Sequence, residues 1–167
     1  MPVETDLFYS RLPLILLMFG WGLLHLIVAF GNMTDYGTNF EFVKHVLSMD
    51  TIFPDSKVGY RAISSTWVHH VFYIFIILLE SLIAVFGLTA AYRFYVHRNA
   101  EKETFSLQKK NAYIAVAIGV VLWFISFSIV GAEWFSMWQS ADWNAVDTAN
   151  RLLIIDTILY ALILRAQ

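Results

Sequence analysis

Four long apolar stretches separated by polar or charged segments set the pattern of this chain, at about 12–30, 68–92, 112–130 and 146–164. Each is long enough for a helix to cross a bilayer core, which takes roughly 20 residues at a rise of ~1.5 Å each. Small or polar residues recur on one face of every stretch. On the first they are Gly22, His25, Ala29 and Asn32; on the second His69, Tyr73, Glu80, Ala84, Gly87 and Ala91; on the third Ala115, Gly119, Ser126 and Glu133. Asp156 shares a face with Ala149 and Tyr160 on the fourth. In lipid, close backbone approach replaces the hydrophobic drive, so these faces are expected to meet one another. The pattern predicts an all-α fold, a membrane four-helix bundle formed by one domain over residues 1–167.

Between the first and second stretches the period changes. Phe40, Val43 and Leu47 recur at helical spacing behind Thr38 and Glu41, which have the spacing of a capping box. This predicts a short amphipathic helix over 39–49 in the first extracytoplasmic loop, lying on the outer membrane surface or capping the bundle. Its apolar residues Phe40, Val43 and Leu47 are the candidate docking face. Pro54-Asp55 marks a turn before the chain re-enters. Ala29-Phe30-Gly31 resembles a signal cleavage site, but the apolar core before it is too long for a signal peptide and the chain begins at Met1, so a retained helix is expected.

Charge then orients the pattern. Arg93, Arg98, Lys102, Lys109 and Lys110 lie between the second and third stretches, and Arg11 and Arg165 flank the outermost ones. Lys and Arg accumulate on the cytoplasmic side, which places both termini there. Trp67, Trp134, Trp138 and Trp143 fall at the opposite ends, where indoles gather at headgroups. Composition agrees with a membrane class: 59% of residues are hydrophobic and 14% charged, against roughly 25% charged in soluble domains. A net charge of -2 argues against a nucleic-acid partner, and zero cysteines exclude disulfides, thiolate metal sites and a Cys nucleophile.

The stretch Thr34-Asp35-Tyr36-Gly37-Thr38-Asn39-Phe40, continued by His45-Val46-Leu47-Ser48-Met49-Asp50-Thr51 and set between the first two apolar stretches, resembles a bacterial family of predicted small integral membrane proteins classed as a domain of unknown function. The resemblance covers nearly the whole chain. It implies a multi-pass protein of a bacterial cytoplasmic (inner) membrane, and it implies no activity, cofactor or catalytic residue.

Candidate chemistry is confined to ionisable residues inside the apolar stretches: His25, Glu80 and Asp156, with Arg151 nearby. Charge in hydrocarbon is costly and is retained where it is paired, enclosed in protein or working. Counting from span midpoints at ~1.5 Å per residue, Glu80 and Asp156 fall together near the bilayer centre, with His25 ~6 Å and Arg151 ~7 Å toward the outer face. Two carboxylates at one level would share a proton or a cation. Against this stand plainer readings: Glu80 as a hydrogen-bonding group between helices, His25 as a packed residue, and Arg151 paired with Asp147 one turn earlier.

Three function classes follow. The preferred one is an accessory or scaffold subunit that packs against a larger membrane complex, since no soluble domain, nucleotide or phosphate loop, or Cys or His-rich metal motif is present. The alternative is an oligomeric proton or cation channel or transporter using the intramembrane acids. The third is a haem-bearing redox protein with His25 as an axial ligand, opposed by the ~9 Å between its level and that of His69 or His70. No catalytic residue, metal site or cofactor is expected. The expected partners are membrane lipids and a larger membrane protein complex or a second copy of the chain.

Overall fold

The structure, a computed structural model, describes residues 3–166. Helix α1 (Val3–Thr34) is followed by α2 (Tyr36–Ser48), α3 (Thr66–Val96), the short α4 (Lys102–Ser106), α5 (Lys110–Gly119) and α6 (Val146–Arg165). Helix α5 continues without a break into a π-helical segment, Val120–Trp134. No strand occurs among the described residues.

Glycine decides where α1 and α3 touch. A Cβ at Gly22 would lie 2.7 Å from the backbone nitrogen of Leu88, and one at Gly87 would lie 3.0 Å from the Cα of Gly22. The two backbones are therefore in direct contact, which is how helices gain dispersion energy in lipid. Ala29, Ala84 and Ala91, from the same small-residue faces, are buried as well. The contact also fixes the antiparallel register: Arg11 of α1 meets the carbonyls just past the end of α3, and Asn32 near the other end of α1 meets Glu80.

Three helical runs are long and apolar enough to cross a membrane: Leu7–Thr34, Thr66–Val96 and Lys102–Trp134. The fourth predicted stretch is helical too, as α6, but it carries Asp147, Arg151, Asp156 and Arg165 and does not reach the apolarity of the other three.

Two buried cations close one end of the bundle. Arg11 Nη1 donates to the carbonyls of His97 (3.2 Å), Arg98 (2.8 Å) and Ala100 (2.7 Å), and the guanidinium stands 4.0 Å above the Phe105 ring. Lys109 Nζ donates to Ala166 O at 2.7 Å, beyond the end of α6. Carbonyls at a helix C-terminus lack intrahelical donors and sit at the negative end of the macrodipole, so a cation there is doubly favourable.

Helix α2 covers the other end, and here two expectations are corrected. The helix starts at Tyr36, ahead of the predicted 39, and no capping box forms: Thr38 lies inside the helix, the cap residue Asp35 makes no side-chain cap bond, and Glu41 pairs with Lys44 at 2.8 Å. Two of the three predicted docking residues are buried within the chain and the third, Phe40, is half-buried. Val43 and Leu47 are buried against Tyr73, Ala132, Phe135 and Met137, while Phe40 stacks on His70 with ring centroids 4.1 Å apart. An apolar stripe this close to α3 is removed from water or lipid more readily by its own bundle than by a second protein. At the end of α2, Met49 takes the left-handed conformation usual for a helix stop (φ 52°), with its side chain buried in the same cluster.

The π-helical segment is local chemistry that periodicity does not reveal. Ser126 Oγ donates to Val121 O and Ser128 Oγ to Trp123 O, each five residues back, and Phe135 N–H donates to Val130 O over the same interval. Serine hydroxyls inside an apolar helix bond backwards to carbonyls and widen the turn.

Candidate functional site

The richest set of polar contacts lies where α1, α2 and α3 meet. Asn32 Nδ2 donates to Glu80 Oε2 at 2.7 Å, and Asn39 Nδ2 donates to Asn32 Oδ1 at 2.6 Å. Tyr73 Oη donates to Asn32 O at 3.3 Å. Glu80 and Asn32 are buried whereas Asn39 is exposed, so this chain of amides runs from the surface of α2 to an enclosed carboxyl group. The groups border a chamber of about 210 Å³, whose other walls include Phe42, Tyr73, Trp123, Phe127, Ala145 and Thr148. The second oxygen of Glu80 accepts no hydrogen bond among the described residues. Beside the chamber, Tyr36 Oη lies 2.8 Å from His70 Nδ1; burial pushes the tyrosine pKa above its ordinary value, so the hydroxyl keeps its proton and can donate to that nitrogen.

His25 is a satisfied interior residue. Its Nδ1 donates to Trp21 O at 2.9 Å, and its Nε2 accepts from Trp123 Nε1 at 3.2 Å. A carbonyl can only accept and an indole can only donate, so these two contacts assign one neutral tautomer and occupy both ring nitrogens.

Asp156 stands apart. It is fully buried against α5, with its carboxyl oxygens 2.6 to 2.9 Å from where a Cβ on Gly119 would be, and neither oxygen has a hydrogen-bond partner among the described residues. The groove beside it, about 420 Å³, is lined by Tyr113, Val116, Ala117, Val120, Thr157 and Tyr160. Arg151 is exposed and makes a 3.4 Å contact to Thr148 Oγ1; it pairs with neither Asp147 nor Asp156.

The structure therefore does not bring His25, Glu80, Asp156 and Arg151 together. Glu80 is level with Asn32, which lies seven residues beyond His25 on α1, or ~10 Å along the axis. Gly119, beside Asp156, lies one turn before Trp123, the partner of His25. The order along the bundle is Glu80, then His25, then Asp156, and the expected shared level of the two acids is corrected. The reason is register: the Gly22 to Gly87 contact slides α3 past the end of α1, so midpoints of apolar runs do not mark equal depths. Fully buried Met18, Ile83, Leu122 and Leu159 belong to the same core.

Sequence reasoning placed Asn32 on a polar face without giving it a role, used Arg11 only as a positive flank of the first stretch, and gave no role to Asn39 or Trp123. For Asn32 the signal was its seven-residue spacing from His25 on one helix face. Among the described residues no cluster of three or more His, Cys, Asp or Glu could hold a metal ion.

Residues 10–167 match the family described as "predicted small integral membrane protein (DUF2165)". Neither a curated protein nor a solved structure matches the chain.

Proposed function

The chain belongs to this family of predicted small integral membrane proteins, and from that premise we propose that it is a non-conducting, four-span subunit of a larger assembly in a bacterial inner membrane. One observation carries the reading: the interior polar groups stand at separate levels, and Glu80 and His25 are bonded to neighbouring groups of their own chain rather than to one another. That arrangement fastens helices. A relay needs donors and acceptors within hydrogen-bond reach of each other, about 3 Å, and buried Met18, Ile83, Leu122 and Leu159 occupy the core that these levels share.

Helix α6 acts as the fourth span. Its acid Asp156 turns inward against Gly119, Ile154, Ile158 and Leu164 face outward, and exposed Arg151 near its start can extend its head to the interface. Positive charge at the Arg11 and Lys109 end supports cytoplasmic termini, and exposed Trp67, Trp134 and Trp138 support headgroup contact at the opposite end. In this Cys-free chain, Ser56→Cys and Gln139→Cys should react with a membrane-impermeant thiol reagent in intact spheroplasts and Ser106→Cys should not; the reverse pattern inverts the orientation.

The alternative, an oligomeric proton or cation conductor, has one observation in its favour, the two Asp156 oxygens without a bond. Haem ligation has none, because both His25 nitrogens are engaged. The subunit reading is tested by extraction from native membranes in mild detergent. A second membrane protein is expected to accompany the chain in fixed ratio through two purification steps. Recovery of the chain alone, or only with its own copies, would contradict it.

A further inference from the structure

We propose that the Glu80 chamber is a binding site for a small organic ammonium ion that enters from the α2 end. Two features of the site converge on that chemistry. The first is an acid held by one oxygen only: Asn32 donates to Oε2 at 2.7 Å, and among the described residues Oε1 accepts no hydrogen bond and Glu80 takes part in no ion pair. The second is the wall, in which the rings of Phe42, Trp123 and Phe127 stand around a space of about 210 Å³. An ammonium group within ~6 Å of an aromatic face is attracted by the ring quadrupole, and a desolvated carboxylate supplies the neutralising charge.

The carboxyl group sets the preference. Asn32 Nδ2 holds one oxygen of Glu80 and Asn39 Nδ2 holds Asn32 Oδ1, and the remaining Glu80 oxygen is an acceptor, suited to an N–H donor. Exposed Asn39 marks the entrance. Trp123, whose indole is committed to His25, forms part of the wall. A ligand seated there touches α1, α2 and α3 together and would change how tightly α2 closes the bundle end.

The test uses the full chain purified in detergent micelles, with isobutylammonium chloride as probe, isobutanol as its neutral counterpart and sodium chloride to match ionic strength. Saturable heat of binding and a rise in melting temperature are expected for the ammonium and not for the alcohol. Glu80→Gln, which still offers Asn32 an oxygen, should weaken binding at least tenfold. Ala145→Leu, which fills the chamber from the start of α6 without altering charge, should do the same, and it decides the matter if the Gln variant does not fold. Absence of saturation below ~10 mM, equal binding of the alcohol, or parental affinity in Ala145→Leu would each overturn the proposal.

Discussion

Gly22→Leu is expected to be among the most damaging single substitutions in this chain. Even a methyl group at that position would come 2.7 Å from the backbone nitrogen of Leu88 and 2.9 Å from its Cγ. Backbone cannot rotate aside as a side chain can, so α1 and α3 must separate, and with them the register that joins Arg11 to the end of α3 and Asn32 to Glu80. Overpacking of a tight contact costs about 1–3 kcal/mol, and the loss here should lie at the top of that range because two other contacts depend on the same register. Gly20→Leu is the internal control: two residues away on the same helix, Gly20 is exposed with nothing within 4 Å of its Cβ position. It should change stability by less than ~0.5 kcal/mol. Thermal melting of both variants in one detergent would show the contrast, and equal losses would mean that the α1 to α3 contact is not the organising one.

The second large effect is expected at Glu80, and it depends on which residue replaces it. Leucine removes the acceptor of Asn32 Nδ2 inside the protein, and a buried donor left unsatisfied costs about 1–3 kcal/mol. The loss should propagate to Asn39, whose bond to Asn32 Oδ1 orients the same amide. Glutamine keeps an oxygen in place, so Glu80→Gln should cost less than ~1 kcal/mol. If the two variants melt at the same temperature, Asn32 is not held by Glu80 in the way its 2.7 Å bond implies.

Much of the fold was legible because lipid imposes a simple rule. Backbone groups must be satisfied within a helix, and long apolar runs then mark the helices directly. The small-residue faces were expected to meet one another, and Gly22 of α1 and Gly87 of α3 do meet. What could not be read was the offset between helices. Span midpoints put Glu80 level with Asp156, whereas one glycine pair slides α3 along α1 and moves Glu80 up to Asn32. The apolar stripe of α2 was visible, but a stripe does not say which surface covers it, and Tyr73, Phe135 and Met137 of the same chain do so. Asn39 escaped notice because a polar residue in a loop helix is ordinary until its partner is known. The π-helical turns carry backward bonds from Ser126 and Ser128, which leave the hydrophobic pattern unchanged.

The central claim is that Glu80 fastens helices and that neither interior acid, Glu80 or Asp156, conducts. Its most direct test is proton and cation flux through proteoliposomes containing the parent chain, Glu80→Gln or Asp156→Asn, each first shown to be folded by its melting transition. The separate levels of the two acids, and the in-chain bond of Glu80, predict that all three leak no more than protein-free liposomes under an imposed gradient. Flux through the parent that is lost in both isosteric variants, with folding intact, would contradict the account and assign Glu80 and Asp156 to a transport path.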